Sequence, residues 1–121
     1  MKKRDFQVAI KSHDEVMGEL TELARRIDKG DYPNRPVERV YFNDARTFFR
    51  HITPRRFDLL EELHRQGEMS INALARLLKR NYKNVHDDVK ALEEIGLIEQ
   101  QENGLFSVPW DEVQTTLKLA A

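Results

Sequence analysis

The chain has 121 residues, 40% of them hydrophobic and 34% charged, with a formal net charge of −1. That length predicts one domain with a real core, and that composition excludes a chain disordered throughout. The lack of cysteine excludes a disulfide framework and thiolate metal sites.

No apolar stretch approaches the roughly 20 residues of a membrane span, and Met1-Lys2-Lys3-Arg4 has no apolar run behind its charges. A cytoplasmic protein with no membrane partner is expected. The near-neutral balance supplies no global excess of cations for nucleic acid, so the placement of the charges decides.

Phe6 to Ile10 alternates imperfectly between apolar and polar residues and reads as a short strand. Ser12-His13-Asp14-Glu15 has the spacing of a capping box, in which each side chain satisfies an orphan backbone donor. Val16, Leu20, Leu23, Ala24 and Ile27 follow at helical spacing, which predicts an amphipathic helix from His13 to Lys29, stopped near Gly30. Two prolines make Asp31 to Pro36 a turn-rich connection, and Val37 to Phe42 reads as a second strand. This strand-helix-strand unit, residues 1–42, is too small to hold a core alone and must pack on something.

Asn43 is expected to cap a short helix with Ala45, Phe48, Phe49 and Ile52 on one face. Thr53-Pro54 is a strong helix start, with Phe57, Leu60 and Leu63 as the buried stripe and Gly67 as the stop. Ser70 caps the next helix, whose apolar face is Ile71, Leu74, Ala75 and Leu78. Lys79-Arg80-Asn81 interrupts the pattern. A further helix runs from Tyr82 to Ile95 with Val85, Val89 and Leu92 inward, and Gly96 ends it. Leu97 to Gln101 and Leu105 to Val108 flank Glu102-Asn103-Gly104, a strong hairpin signal. Val113 to Leu119 alternates and favours a strand; a helix from Trp110 through Val113 and Leu117 is the alternative.

Three helices followed by a hairpin, the second and third joined by a three-residue turn, are the plan of a winged helix-turn-helix. The expected fold is α+β. Residues 43–109 form the winged helix-turn-helix, and strands from residues 1–42 and 110–121 form a small accessory sheet. Ala75 is small enough to let the third helix cross closely over the second, and Val85 faces back into that junction.

With Val85, Val89 and Leu92 inward, the outward stripe at 100° per residue is Lys83, Asp87, Lys90 and Glu94. Asn84 and His86 flank it. The first turns, with Tyr82, Lys83, Asn84 and His86, are the end that enters a major groove. There Lys donates to guanine, Asn pairs with adenine, and Asp accepts from cytosine.

Ser70, Arg76, Lys79, Arg80 and Asn81 complete the candidate interface, the cations suited to phosphates. From Arg76 to Lys83 there are four Lys or Arg and no acid. On an arbitrary protein such a cluster is usually a solvated surface; the helix-turn-helix setting favours DNA. Asp87 reads cytosine, orients Lys83 or Lys90, or lies outside the groove. The wing, Asn103 and Gly104 at its tip, has Glu102 and no cation, so it touches a minor groove weakly or not at all.

Enzyme readings find no support. His13, His51, His64 and His86 are scattered without metal-ligand spacing. His86-Asp87-Asp88 cannot converge on one ion, because neighbours on a helix point about 100° apart. No catalytic residue, metal or cofactor is expected, and nothing groups the carboxylates as a hydrolase or nuclease would need.

The runs Leu59 to Leu63, Ser70 to Leu78, Tyr82 to Ile98 and Val108 to Val113 resemble small prokaryotic transcriptional regulators related to MarR-type winged-helix proteins. The resemblance is close over residues 53–121, with Lys83-Asn84-Val85-His86 its most specific part; the first 50 residues share only the layout. It implies a DNA-binding regulator with Lys83, Asn84 and His86 on the recognition helix. Genes of that family often lie beside toxin-like genes, so it also implies an autoregulating antitoxin as an alternative. Two residues depart from the pattern. Lys79 stands where many helix-turn-helix turns use glycine, and Asp87 puts an acid where a neutral or basic residue serves DNA better.

The expectation is a homodimer reading a palindromic site on double-stranded DNA through residues 82–95. A winged-helix module that neutralises a toxin protein is the competing expectation.

Overall fold

The computed structural model describes residues 4–32 and 39–119. Among these residues the chain folds as α+β, with five helices and six strands in two small sheets. In chain order they are β1 (Asp5–Ile10), α1 (His13–Asp28), β2 (Arg39–Phe42), α2 (Ala45–His51), α3 (Pro54–Gln66), β3 (Glu68–Met69), α4 (Ile71–Leu78), α5 (Tyr82–Ile95), β4 (Glu99–Gln100), β5 (Phe106–Ser107) and β6 (Glu112–Thr115). The turn expected at Pro33 to Pro36 and the strand start at Val37 lie outside the described residues. No helix among them is long and apolar enough to cross a membrane.

Local chemistry sets most helix ends. Ser12 and Glu15 form the expected capping box at α1. Thr53 and Pro54 start α3, where the Arg56 amide donates to Thr53 Oγ1 at 3.2 Å. The start of α2 corrects the sequence reading: Asp44, not Asn43, is the cap. Its Oδ1 accepts from the Thr47 amide at 2.8 Å and the Thr47 hydroxyl at 2.7 Å. Those two bonds, the backbone one first, hold the Asp44 carboxyl below the usual carboxylate range.

The sheet β2-β1-β6 is wholly parallel, with β1 in the centre. The N- and C-terminal strands thus share one small sheet, and the tail is a strand rather than a helix. Strand β6 begins at Glu112 and ends at Thr115, shorter than the alternation to Leu119 implies. Registers Phe6↔Val113, Val8↔Val40 and Ile10↔Phe42 put these apolar residues on one face. Phe6, Val8 and Phe42 belong to the same buried cluster as the helical residues Leu59, Leu63, Leu74, Val85, Val89 and Leu92. The opposite face carries Gln7, Arg39, Tyr41 and Gln114, and Gln7 Oε1 accepts from Arg39 Nη2 at 2.7 Å.

Trp110 ties this sheet to the helices. Its ring lies 4.9 Å from that of Phe6, and its Nε1 donates to the Gly96 carbonyl at 2.9 Å. Gly96 ends α5 with φ of 103°, and a Cβ there would stand 3.4 Å from the Phe6 ring. Both the left-handed turn and the close approach of β1 call for glycine. The Arg4 and Asp111 backbones close the junction: the Asp111 amide donates to the Arg4 carbonyl at 2.7 Å.

Two aromatic assignments are corrected. Phe57 is 45% exposed, and α3 instead buries Leu59, Leu60 and Leu63. Two steps of three residues, Phe57 to Leu60 to Leu63, drift about 120° around the helix, so Phe57 leaves the buried arc. In α2, Phe48 is buried while Phe49, one residue and about 100° on, is 54% exposed.

Helix α1 has its apolar stripe, yet none of its residues is buried. It meets the sheet through polar groups: Glu19 pairs with Lys11 and accepts from the Tyr41 hydroxyl at 3.4 Å. The hydrogen bond from Lys11 is the main reason the Glu19 carboxyl lies below its ordinary range.

Candidate functional site

Helices α4 and α5 pack across a tight junction. Ser70 caps α4, accepting from the Ala73 amide at 3.1 Å, and Ile71, Leu74 and Ala75 are buried against α5. Leu78, expected inward, is half-buried. The turn is Lys79-Arg80-Asn81. Lys79 takes φ 56° and ψ 45°, the left-handed conformation that glycine would adopt more readily, and the turn closes through the Arg80 amide donating to the Ala75 carbonyl at 3.0 Å. A side chain in that conformation carries a steric cost. Lys79→Gly is therefore expected to stabilise the fold by up to about 1 kcal/mol, read as a higher denaturant midpoint in circular dichroism. An unchanged or lower midpoint contradicts this assignment of strain.

Asn81 then caps α5, its Oδ1 accepting from the Lys83 amide at 2.8 Å and the Asn84 amide at 3.4 Å. Val85, Val89 and Leu92 are fully buried, so the rotation of α5 about its axis is fixed. Tyr82, Lys83, Asn84 and Asp87 are exposed around its first turns, and His86 is half-buried with its ring 6.0 Å from Tyr82. Arg76 and Lys79 are exposed beside them. The Asp87 carboxylate lies 3.7 Å from His86 Nδ1, nearer that ring than a free outward position would imply.

Two residues of the predicted interface have partners within the chain. Arg80 does not stand free for a phosphate: its Nη2 lies 2.6 Å from Asp88 Oδ2, and its side chain is only 18% exposed. Asp88 also accepts from Arg56 Nε at 3.0 Å, and Arg56 Nη1 donates to the His51 carbonyl at 2.9 Å. One carboxylate on α5 thus clamps α3 and the turn. Lys90 is half-buried rather than outward; it lies 5.2 Å over the Phe106 ring and donates to Glu93 at 3.2 Å. Arg56 and Asp88 were absent from the predicted site, because a pairing across 32 positions leaves no periodic signal.

The hairpin is shorter than predicted. Leu97 and Ile98 are buried in the core, leaving β4 and β5 with two residues each. Met69 and Glu68, assigned no structure from sequence, form β3, and the antiparallel order is β3-β5-β4. Asn103 braces the tip: its Oδ1 accepts from the Leu105 amide at 2.9 Å, and its Nδ2 donates to Glu68 at 3.3 Å. Gly104 takes φ of 85° there. Glu99 and Glu102 are exposed on this hairpin, which carries no Lys or Arg from Glu99 to Ser107.

Residues 51–115, just over half the chain, match the model of the HVO_A0114 family. The chain belongs to the HVO_A0114 family. The family segment opens at the last residue of α2 and closes at the last residue of β6, so it holds the α4–α5 junction, the hairpin and the Trp110 contact. Elements β1, α1 and β2 precede it. No curated protein matches the chain, and no solved structure does.

Proposed function

We propose that this HVO_A0114 family protein is a winged helix-turn-helix transcriptional regulator, with α5 as the recognition helix and the β4–β5 hairpin as the wing. One observation carries the reading. The buried Val85-Val89-Leu92 stripe turns Lys83 and Asn84 outward at the start of α5, beside exposed Arg76 and Lys79. Such a helix end presents base-reading side chains to a major groove while flanking cations meet phosphates. Asn81 is occupied as the cap and Arg80 by Asp88, so their role is to aim α5. The acidic wing gives phosphates no cation, which concentrates contact on the helix. A homodimer supplies the two half-sites that one reading head lacks.

The test is fluorescence anisotropy on DNA from upstream of its own gene, at about 150 mM salt with competitor DNA. Wild type is expected to bind well below the roughly 10⁻⁶ M of non-specific contact. Lys83→Ala and Asn84→Ala should each lose about 1–3 kcal/mol, and Arg76→Ala should lower the salt slope by about 1. Binding no tighter than to random DNA overturns the reading. The second reading, a protein-interaction module that neutralises a toxin partner, draws on the acidic hairpin and on the exposed Met17, Leu20 and Ile27 of α1. It predicts partner binding that survives Lys83→Ala.

A further inference from the structure

Strand β6 is an edge: in the order β2-β1-β6 it pairs with β1 and with no other strand among the described residues. The outer side of its backbone is therefore a template for a further strand. Beside that edge runs a groove walled by Phe57, Leu60, Trp110 and Val113, and Phe57 stands there 45% exposed. The tail beyond β6 has apolar side chains to match. Leu117 is 44% and Leu119 104% exposed, and neither belongs to the core. In an extended chain Val113, Leu117 and Leu119 fall on one side, the side on which Val113 meets the groove.

The charges say which strand fits. From Asp111 to Leu119 the charged residues are Asp111 and Glu112 at one end and Lys118 at the other. The register Asp5↔Glu112 sets a further acid beside Glu112 on the same face. A second copy of this strand laid antiparallel brings a basic end onto an acidic end, whereas a parallel one sets acid against acid. One antiparallel register matches both chemistries. Centred on Thr115, it puts Val113 opposite the partner's Leu117, Glu112 opposite the partner's Lys118, and Thr115 opposite itself. Residues directly opposite share a face, so apolar meets apolar over the groove and acid meets base on the other side. A slip of one residue breaks both matches. A two-fold axis through Thr115 produces this pairing from identical chains. Pairing with β1 stops at Thr115, and the second copy supplies the neighbour along which the alternation runs on to Leu119.

We infer that β6 is the dimer edge of this protein, pairing antiparallel with β6 of a second copy so that the two small parallel sheets become one. Leu117 of each copy then seats in the groove of the other, beside Phe57 and Val113. This deepens the homodimer of the functional reading and rests on it.

The test is sedimentation velocity on the full chain across micromolar concentrations, with circular dichroism confirming that every variant is folded. Wild type should dimerise, and Leu117→Asp, outside the core, should be folded and monomeric. Glu112→Lys and Lys118→Glu should each weaken the dimer by roughly ten-fold, and an equimolar mixture of the two should form heterodimers. The chain has no cysteine, so one introduced thiol reports the register directly. Thr115→Cys meets itself across the axis within disulfide reach and should link the dimer under mild oxidation. Leu119→Cys is more exposed but lies far from its own copy in this register, and it should link much more slowly. A monomeric wild type overturns the inference. So does Leu117→Asp that dimerises like wild type, a mixture that forms no heterodimer, or Thr115→Cys that links no faster than Leu119→Cys. Pairing is read without DNA and Lys83→Ala should remain dimeric, so loss of DNA reading and loss of pairing are told apart.

Discussion

Replacing Trp110 with alanine is expected to lower stability by about 3–5 kcal/mol, the cost typical of deleting a buried aromatic. The indole is 5% exposed and does three things together. It fills the space against Phe6, it lies under the Arg4 guanidinium at 4.6 Å from its centroid, and it donates to the Gly96 carbonyl. Loss of the ring leaves a void at the place where β1, the end of α5 and the run into β6 converge. The melting temperature should fall by roughly 10–20 °C.

Trp110→Phe keeps a ring against Phe6 and removes only the N–H donor. It should cost about 1 kcal/mol beyond the change in volume, because the Gly96 carbonyl loses its partner. Trp110 is the chain's only tryptophan, so circular dichroism rather than fluorescence is the suitable probe. A loss under 1 kcal/mol for the alanine variant would mean that the sheet is not held to the helices through this contact.

Asp88→Ala is expected to cost about 3 kcal/mol, the lower end for breaking a buried ion pair. Its two oxygens serve two guanidiniums, at 3.0 Å to Arg56 and 2.6 Å to Arg80. With side chains only 22% and 18% exposed, neither arginine is fully rehydrated when the carboxylate is gone. Arg80 Nη1 is already buried without a hydrogen-bond partner, so its cation depends the more on Asp88. Residual solvent access keeps the figure from the upper end. Asp88→Asn retains one acceptor and should lose less. A double-mutant cycle between Arg80→Ala and Asp88→Ala should show coupling of about 1 kcal/mol or more by denaturant titration. Additive losses would show that Arg80 and Asp88 do not act as a pair.

The same clamp explains which parts of the site were legible. Everything governed by separations of three or four residues could be read directly. The Ser12–Glu15 capping box, the Thr53-Pro54 start, the Ser70 cap and the inward Val85-Val89-Leu92 stripe all follow from one turn of helix acting on its neighbours. Because those residues fix the rotation of α5, the outward placement of Lys83 and Asn84 was legible as well. The reading failed where local patterns were degenerate: Phe57 against Leu59, Phe49 against Phe48, and Asn43 against Asp44. In each case two neighbours of similar chemistry competed, and packing chose.

By itself, then, the sequence determined the helices, their order, the caps Ser12, Thr53 and Ser70 and the inward face of α5, because backbone hydrogen bonding and 3.6-residue periodicity act within a few positions. Only the tertiary structure decided that Arg80 serves Asp88 rather than the solvent, that Lys90 leans on Phe106, and that β3 completes the hairpin sheet. It alone decided that β6 runs parallel to β1, joined by Arg4 and Asp111 from positions 107 apart, and that α1 leaves Met17, Leu20 and Ile27 exposed while Val16 and Leu23 are half-buried. Such contacts depend on which distant surfaces meet. A two-residue strand or a lone arginine carries no periodicity from which to infer its partner.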